Sequence, residues 1–251
     1  MSDRFQTCHE ITAKWEGGWS DHKADPGGKT MYGVTEAVYH AWLRKRGLPI
    51  KPVRNISRGE ALLIYREQYW RPTAEKLDLF PGVDLAVYDA SVNSGVSRGL
   101  KWLKASAGSN DHSVTVKRIC RARLSFMQSL KIWKTFGKGW GRRVADIEAR
   151  GVVMAVTAMG ASTNAVKTIV EDGKVEAKKS AATSDKVAKA SGTGAAASGG
   201  APVAADPSTI DTSTLWLLGA MAAVLIIVAV IAYAKKKAAK AREEAYAGVL
   251  A

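Results

Sequence analysis

The chain has 251 residues, enough for one well-buried domain plus further segments. It carries 37 Lys and Arg against 23 Asp and Glu, a formal +14, and residues 1–160 hold 26 of the basic and 15 of the acidic side chains. That balance suits a polyanionic partner (nucleic acid, an anionic membrane, an acidic wall polymer) or a plain solvated basic surface. Neither Cys8 nor Cys120 belongs to a Cys-x-x-Cys pair, and the four histidines are scattered, which argues against a metal or redox centre. No metal or cofactor is therefore expected.

In chain order, residues 4–15 read as a helix ending at Glu16, with Gly17 and Gly18 as its stop. Cys8 falls in line with Phe5, Ile11 and Trp15 on one face, and Cys120 neighbours Val116 and Ile119, so both thiols read as small buried hydrophobes. A disulfide between them stays open. No signal peptide is expected at the start, because the first residues are polar and mixed. Residues 19–33 read as loop or hairpin, where β-structure is expected. Residues 34–46 read as a helix with Thr35 as N-cap. Ser57 and Glu60 form a capping-box pattern ahead of a stripe of Leu62, Leu63, Tyr65, Tyr69 and Trp70. "DLAVYDASVNSG" gives another helix, with Leu85, Val87, Tyr88 and Val92 inside and Gly95 as its stop. A short helix follows to Gly108, then a long one over 113–130, a basic glycine-rich connection "FGKGWGRR", and helix again over 142–158. The expected class is all-α, with a small loop or hairpin lip.

Beyond residue 160 the character changes. Residues 161–213 are expected as a flexible Ala/Lys/Ser/Gly linker with few groups to bury. "LWLLGAMAAVLIIVAVIAYA", 215–234, is a charge-free run of bilayer length, about 30 Å as a helix, with Trp216 and Tyr233 near its ends. A transmembrane helix is expected at 214–234. Lys235, Lys236, Lys237, Lys240 and Arg242 follow it, while Asp206 and Asp211 precede it, so 235–251 is expected as a cytoplasmic tail and the N-terminal domain on the periplasmic side.

"WEGGWSDHKADPGGKTMYG", 15–33, is a poor recipe for a packing element and a good one for a cleft. Glu16 stands at a helix C-terminal end, where carbonyls disfavour a negative charge, and Trp15 and Trp19 flank it with apolar surface. Both effects favour a neutral carboxyl able to protonate a glycosidic oxygen. Asp25 and Thr30 are placed to face Glu16 across a turn. Were Asp25 to hold water, an inverting gap of about 6.5–9.5 Å would separate the carboxyls. Asp-Pro-Gly-Gly is equally a good turn in its own right.

These residues carry a resemblance. Glu16-Gly17-Gly18 followed by Asp25, Gly27, Gly28, Thr30 and Gly33 resembles the signature of the glycoside hydrolase family 108 muramidases. "VDLAVYDASVNSGVSRGLKWL" resembles that family's following peptidoglycan-binding segment, and "ARLSFMQSLKIWKTFGKGWGRRV" its C-terminal end, so the likeness spans about residues 8–155. It implies a lysozyme-like helical unit made of a catalytic part (1–80) and a peptidoglycan-binding part (81–160). It implies Glu16 as essential acid with Asp25 and Thr30 beside it, and bacterial peptidoglycan as substrate. Trp19, Gly28, Tyr32, Gly33, Asp89 and Asn93 are the candidate substrate contacts. For Asp89 and Asn93, on one helix face, helix–helix hydrogen bonding is an equal reading. With linker and span the implied protein is an anchored wall-lytic enzyme, of phage-type lysis or local wall remodelling. A non-catalytic wall-binding or secretion-assisting module and a lytic transglycosylase are the alternatives. A nucleic-acid binder is not expected, since in the nearest candidate, "KRICRARLSF", Ile119, Cys120 and Leu124 look like core.

Overall fold

In a computed structural model, the structure describes residues 4–21, 28–200 and 212–249, without side chains at 192–200 and 212–219. Asp25 and its turn lie outside the described residues, as do residues 201–211 of the expected linker. The described chain is mostly helical and divides into two units, residues 1–126 with 150–162, and residues 127–149 with 163–251.

The first unit is built around helix α4 (Val83–Ser94), whose residues Val83 to Ser91 are all buried. Such a helix needs neighbours on every side. Helix α1 (Arg4–Ala13) brings the Phe5 ring edge-on to Tyr88 at 5.9 Å, and Trp70 meets Tyr88 at 5.6 Å from another side. Helix α5 (Val96–Ser106) approaches through Gly99, where a Cβ would lie 2.2 Å from Ser91 Oγ. Helix α6 (His112–Gln128) supplies Arg123, paired with Asp89 at 2.5 Å. Helix α7 (Trp133–Ala158) crosses the start of α4 at Gly151, and a Cβ on Gly82 would stand 2.1 Å from the Gly151 carbonyl.

Local signals place the remaining elements. Strands β1 (Thr30–Met31) and β2 (Val34–Thr35) pair antiparallel, with Met31 opposite Val34, and Ser20 bridges to Thr30, so the described part of the expected lip ends in a small hairpin over 30–35. Thr35 caps helix α2 (Glu36–Lys45), its hydroxyl accepting from Val38 N at 3.3 Å. Ser57 and Glu60 close a reciprocal capping box at the start of helix α3 (Arg58–Tyr65). The stripe after it differs from expectation. Ala61, Ile64, Tyr65 and Trp70 are buried, whereas Leu63 is exposed. From Arg66 to Glu75 the chain widens into a π-helix, with Lys76 N donating to the Arg71 carbonyl, five residues back. Pro72 lies within this stretch and has no N–H to give, so the regular ladder could not have continued through it. Cys8 and Cys120 are buried and unbridged.

In the second unit the expected flexible linker is instead helix α8 (Thr163–Gly200). Ala and Lys are strong helix formers, and small side chains allow close helix packing. Val170, Ala177 and Ala181 are buried along α8, and Ala232, Ala239 and Tyr246, at seven-residue spacing, along helix α9 (Thr212–Gly248). The two run antiparallel. Tyr246 lies against Gly173, and Lys236 pairs with Asp185 at 2.5 Å. Arg242 donates twice to Glu148 Oε1, at 2.9 and 2.7 Å, and Tyr246 once at 3.2 Å. Among the described residues no helix is long and apolar enough to cross a membrane. Of the span expected at 214–234, side chains are described from Ala220 onward.

Candidate active site

Glu16 follows α1 in a tight turn, with Trp15 N bonded to the Thr12 carbonyl and Glu16 N to the Ala13 carbonyl. The side chain is half-buried and borders a cavity of about 440 Å³. One wall is the face of α1 carrying Gln6, His9, Glu10 and Ala13, and the other is the face of α3 carrying Arg58, Ala61, Leu62 and Tyr65. Three- and four-residue spacing turns each set to one side of its helix. Tyr32, at the tip of the hairpin, completes the lining near Glu16.

The hairpin tip is held in an unusual backbone conformation. Tyr32 and Gly33 both have positive φ, 51° and 73°. For tyrosine this is a strained region, and the Tyr65 hydroxyl braces it by donating to the Tyr32 carbonyl at 3.0 Å. At Gly33 the lack of a side chain is essential. A Cβ there would stand 2.2 Å from Tyr65 Oη and 2.7 Å from Glu16 Oε2. The glycine therefore lets the hairpin close directly onto the carboxylate and the tyrosine hydroxyl.

Behind this contact lies an aromatic floor. The His9 ring sits 4.8 Å from Tyr65, and its Nδ1 shares a 2.8 Å hydrogen bond with Tyr88 Oη. Burial lowers the His9 pKa to about 4, against the opposing pull of Glu10, so the imidazole is neutral at physiological pH. Burial raises the Tyr69 hydroxyl, and the nearby charge of Glu16 raises it further. Tyr88 is pushed up by burial first.

The other expected site residues fall in three places. Thr30 lies in β1, its hydroxyl donating to the Gly28 carbonyl at 3.1 Å, and Gly28 (φ 66°) opens that strand. Both belong to the hairpin but not to the cavity lining. Trp19 is exposed at the hairpin base, with the Arg54 guanidinium 5.3 Å from its ring centre. Asp89 and Asn93 differ from the expectation of substrate contact. Asp89 is fully buried against Arg123, and Arg123 Nη2 donates to Asn93 Oδ1 at 3.1 Å. Their shared helix face turns toward α6, so the helix–helix reading is the one realised. Sequence reasoning missed His9, Glu10, Arg58 and Tyr65. In the sequence Tyr65 reads as part of a core stripe, although a tyrosine hydroxyl near the end of such a stripe is itself a polar signal.

Glu16 is thus a half-buried carboxyl in the turn after α1, bordering the cavity and closed over by the glycine tip, and glycosidases use carboxyl groups for their acid step. The comparisons give the family. The Glycosyl hydrolase 108 model matches residues 9–95, which include Glu16, the hairpin and α4. A solved structure of SagA from Brucella abortus aligns with a TM-score of 0.54 at 31% identity, over 62% of this chain and 97% of that one. The chain belongs to the glycosyl hydrolase 108 family. No curated protein sequence matches it.

Proposed function

We propose that the protein cleaves the glycan strands of bacterial peptidoglycan as a muramidase, with Glu16 donating the proton to the departing sugar oxygen. The observation that carries this reading is the placement of Glu16, on the cavity wall and in contact distance of the hairpin tip at Gly33. A long polysaccharide needs an open groove rather than a closed pocket, and the groove between α1 and α3 is of that kind. Asp25 keeps its proposed role of ordering water on the far side of the sugar, and Thr30 that of facing Glu16 beside it.

The test uses purified peptidoglycan. Glu16→Gln keeps the shape and removes the acid, so turbidity loss slows about 10³-fold. Equal clearing by both proteins would remove Glu16 from the mechanism, and clearing by neither would favour a wall-binding module. Mass spectrometry of the fragments separates the two enzyme readings. Reducing muramic ends mark hydrolysis, and anhydro ends mark a lytic transglycosylase.

The second part of the reading is an anchor. The run 215–234 has no charge, and from Met221 to Tyr233 its side chains at 221, 224, 226, 227, 228, 230, 231 and 233 are exposed. Eight exposed large apolar groups in thirteen positions favour lipid as their surroundings. In this reading the inner membrane holds the protein, with the catalytic unit on the periplasmic side and the tail in the cytoplasm. In this reading insertion separates Arg242 from Glu148 and Lys236 from Asp185.

A further inference from the structure

The cavity that holds Glu16 is longer than one protonated bond requires. Along α1 it extends from Ala13 back to Gln6, about 10 Å of helix rise. Two of its charged groups have no part in the acid step. Glu10, on α1, is exposed, and its Oε1 accepts from Gln6 Nε2 at 2.9 Å. Arg58, on α3, is exposed, with its guanidinium 5.6 Å from the Tyr32 ring centre. No ion pair is formed by either side chain among the described residues. The wall beside Arg58 is low, since Gly59 has no side chain and Ala61 only a methyl.

A fixed anion and a fixed cation on opposite walls are poorly matched to a neutral sugar chain, whose hydroxyls are served by amides and backbone groups. They match a ligand that carries both charges. The planar guanidinium is the natural partner of a carboxylate, and a carboxylate that of an ammonium. The wall polymer has such a component. The sugar cleaved by a muramidase at C1 bears, on the oxygen at C3 of the same ring, a lactyl group extended by a short peptide with free carboxylates and, in its diamino residue, an amine. A strand positioned for Glu16 must therefore release its peptide into the space beside the catalytic carboxyl.

Resting on the muramidase reading, we infer that Arg58 and Glu10 form a recognition arm for this peptide stem, with Arg58 taking a carboxylate and Glu10 the amine. The stacking of Arg58 on Tyr32 then has a second consequence: stem binding at Arg58 bears directly on the hairpin tip that closes over Glu16.

The experiment measures binding rather than turnover. The full chain carrying Glu16→Gln is titrated with a soluble disaccharide-peptide and with the same disaccharide freed of its peptide. The stem-bearing ligand should bind more tightly. Adding Arg58→Gln should reduce that preference about tenfold, the order of one charge-assisted contact, and Glu10→Gln should reduce it in the same direction when the peptide amine is free but not when it is acetylated. Absence of any preference in the parent overturns the proposal. So do variants that weaken both ligands equally, which would make Arg58 merely a support for Tyr32. The hydrolase reading fails separately, by lack of turnover in the chain with Glu16 intact.

Discussion

Gly33 shows how one residue can decide a site. Its φ of 73° and its contact with two polar atoms of the site leave no room for a methyl group. Gly33→Ala should cost about 1 kcal/mol of stability through backbone strain alone. Its larger effect is to push the hairpin off Glu16. A displacement of about 1 Å lowers turnover about a hundredfold, so the variant should melt close to the parent in calorimetry while clearing peptidoglycan far more slowly. Comparable loss of both would show that the glycine serves folding only. His9 gives a second test. Burial holds its folded pKa at about 4, against 6.5 as the ordinary value. Between these values the unfolded chain binds the extra proton, so stability rises with pH. The contribution is complete above pH 6.5 and is lost as pH falls toward 4. His9→Gln should flatten this part of a melting-temperature profile, and an unchanged slope would place its origin elsewhere.

Among the helices, α4 has the most at stake. Its Asp89 and the Arg123 of α6 are both almost wholly buried, so each neutralises a charge the core would otherwise exclude. Asp89→Asn leaves the guanidinium inside without its counter-charge and should cost about 3–5 kcal/mol, read from denaturant midpoints. A substrate-binding role would predict instead normal stability and weakened binding. The π-helical stretch over Arg66–Glu75 has a positional consequence. It changes which side chains after Tyr65 face inward, and Trp70, Thr73 and Ala74 are the buried ones.

At the scale of the molecule, everything that surrounds Glu16 belongs to the first unit, and α9 belongs to the second. The anchor can therefore be tested without touching the site. Ile227 is 57% exposed on α9. Ile227→Arg should cost little where that side chain meets water, but about 3 kcal/mol in the centre of a bilayer. In cells, alkaline extraction should leave the parent chain in the membrane pellet and shift the variant toward the supernatant. A parent chain recovered in the supernatant would sink the anchor and leave α9 as the packed partner of α8.

Local patterns determined much of this protein before any tertiary contact was known. Thr35 and the Ser57–Glu60 box marked helix starts because capping is settled within one turn of chain, and Gly95 marked a stop for the same reason. Glu16 and Gly17 border the cavity and Gly33 stands against Glu16, and a glycine-rich stretch around one carboxyl is a local arrangement that the sequence carries by itself. Tertiary structure decided the rest. Asp89 faces Arg123 because α6 happens to pack on that side of α4, a contact between residues 34 positions apart. Residues 163–200 are helical in the company of α9, where alanines too small to announce a core in sequence pack closely with a partner. Glu10 and Arg58 share a cavity only because α1 and α3 come together, and no spacing along the chain relates one wall of a groove to the other.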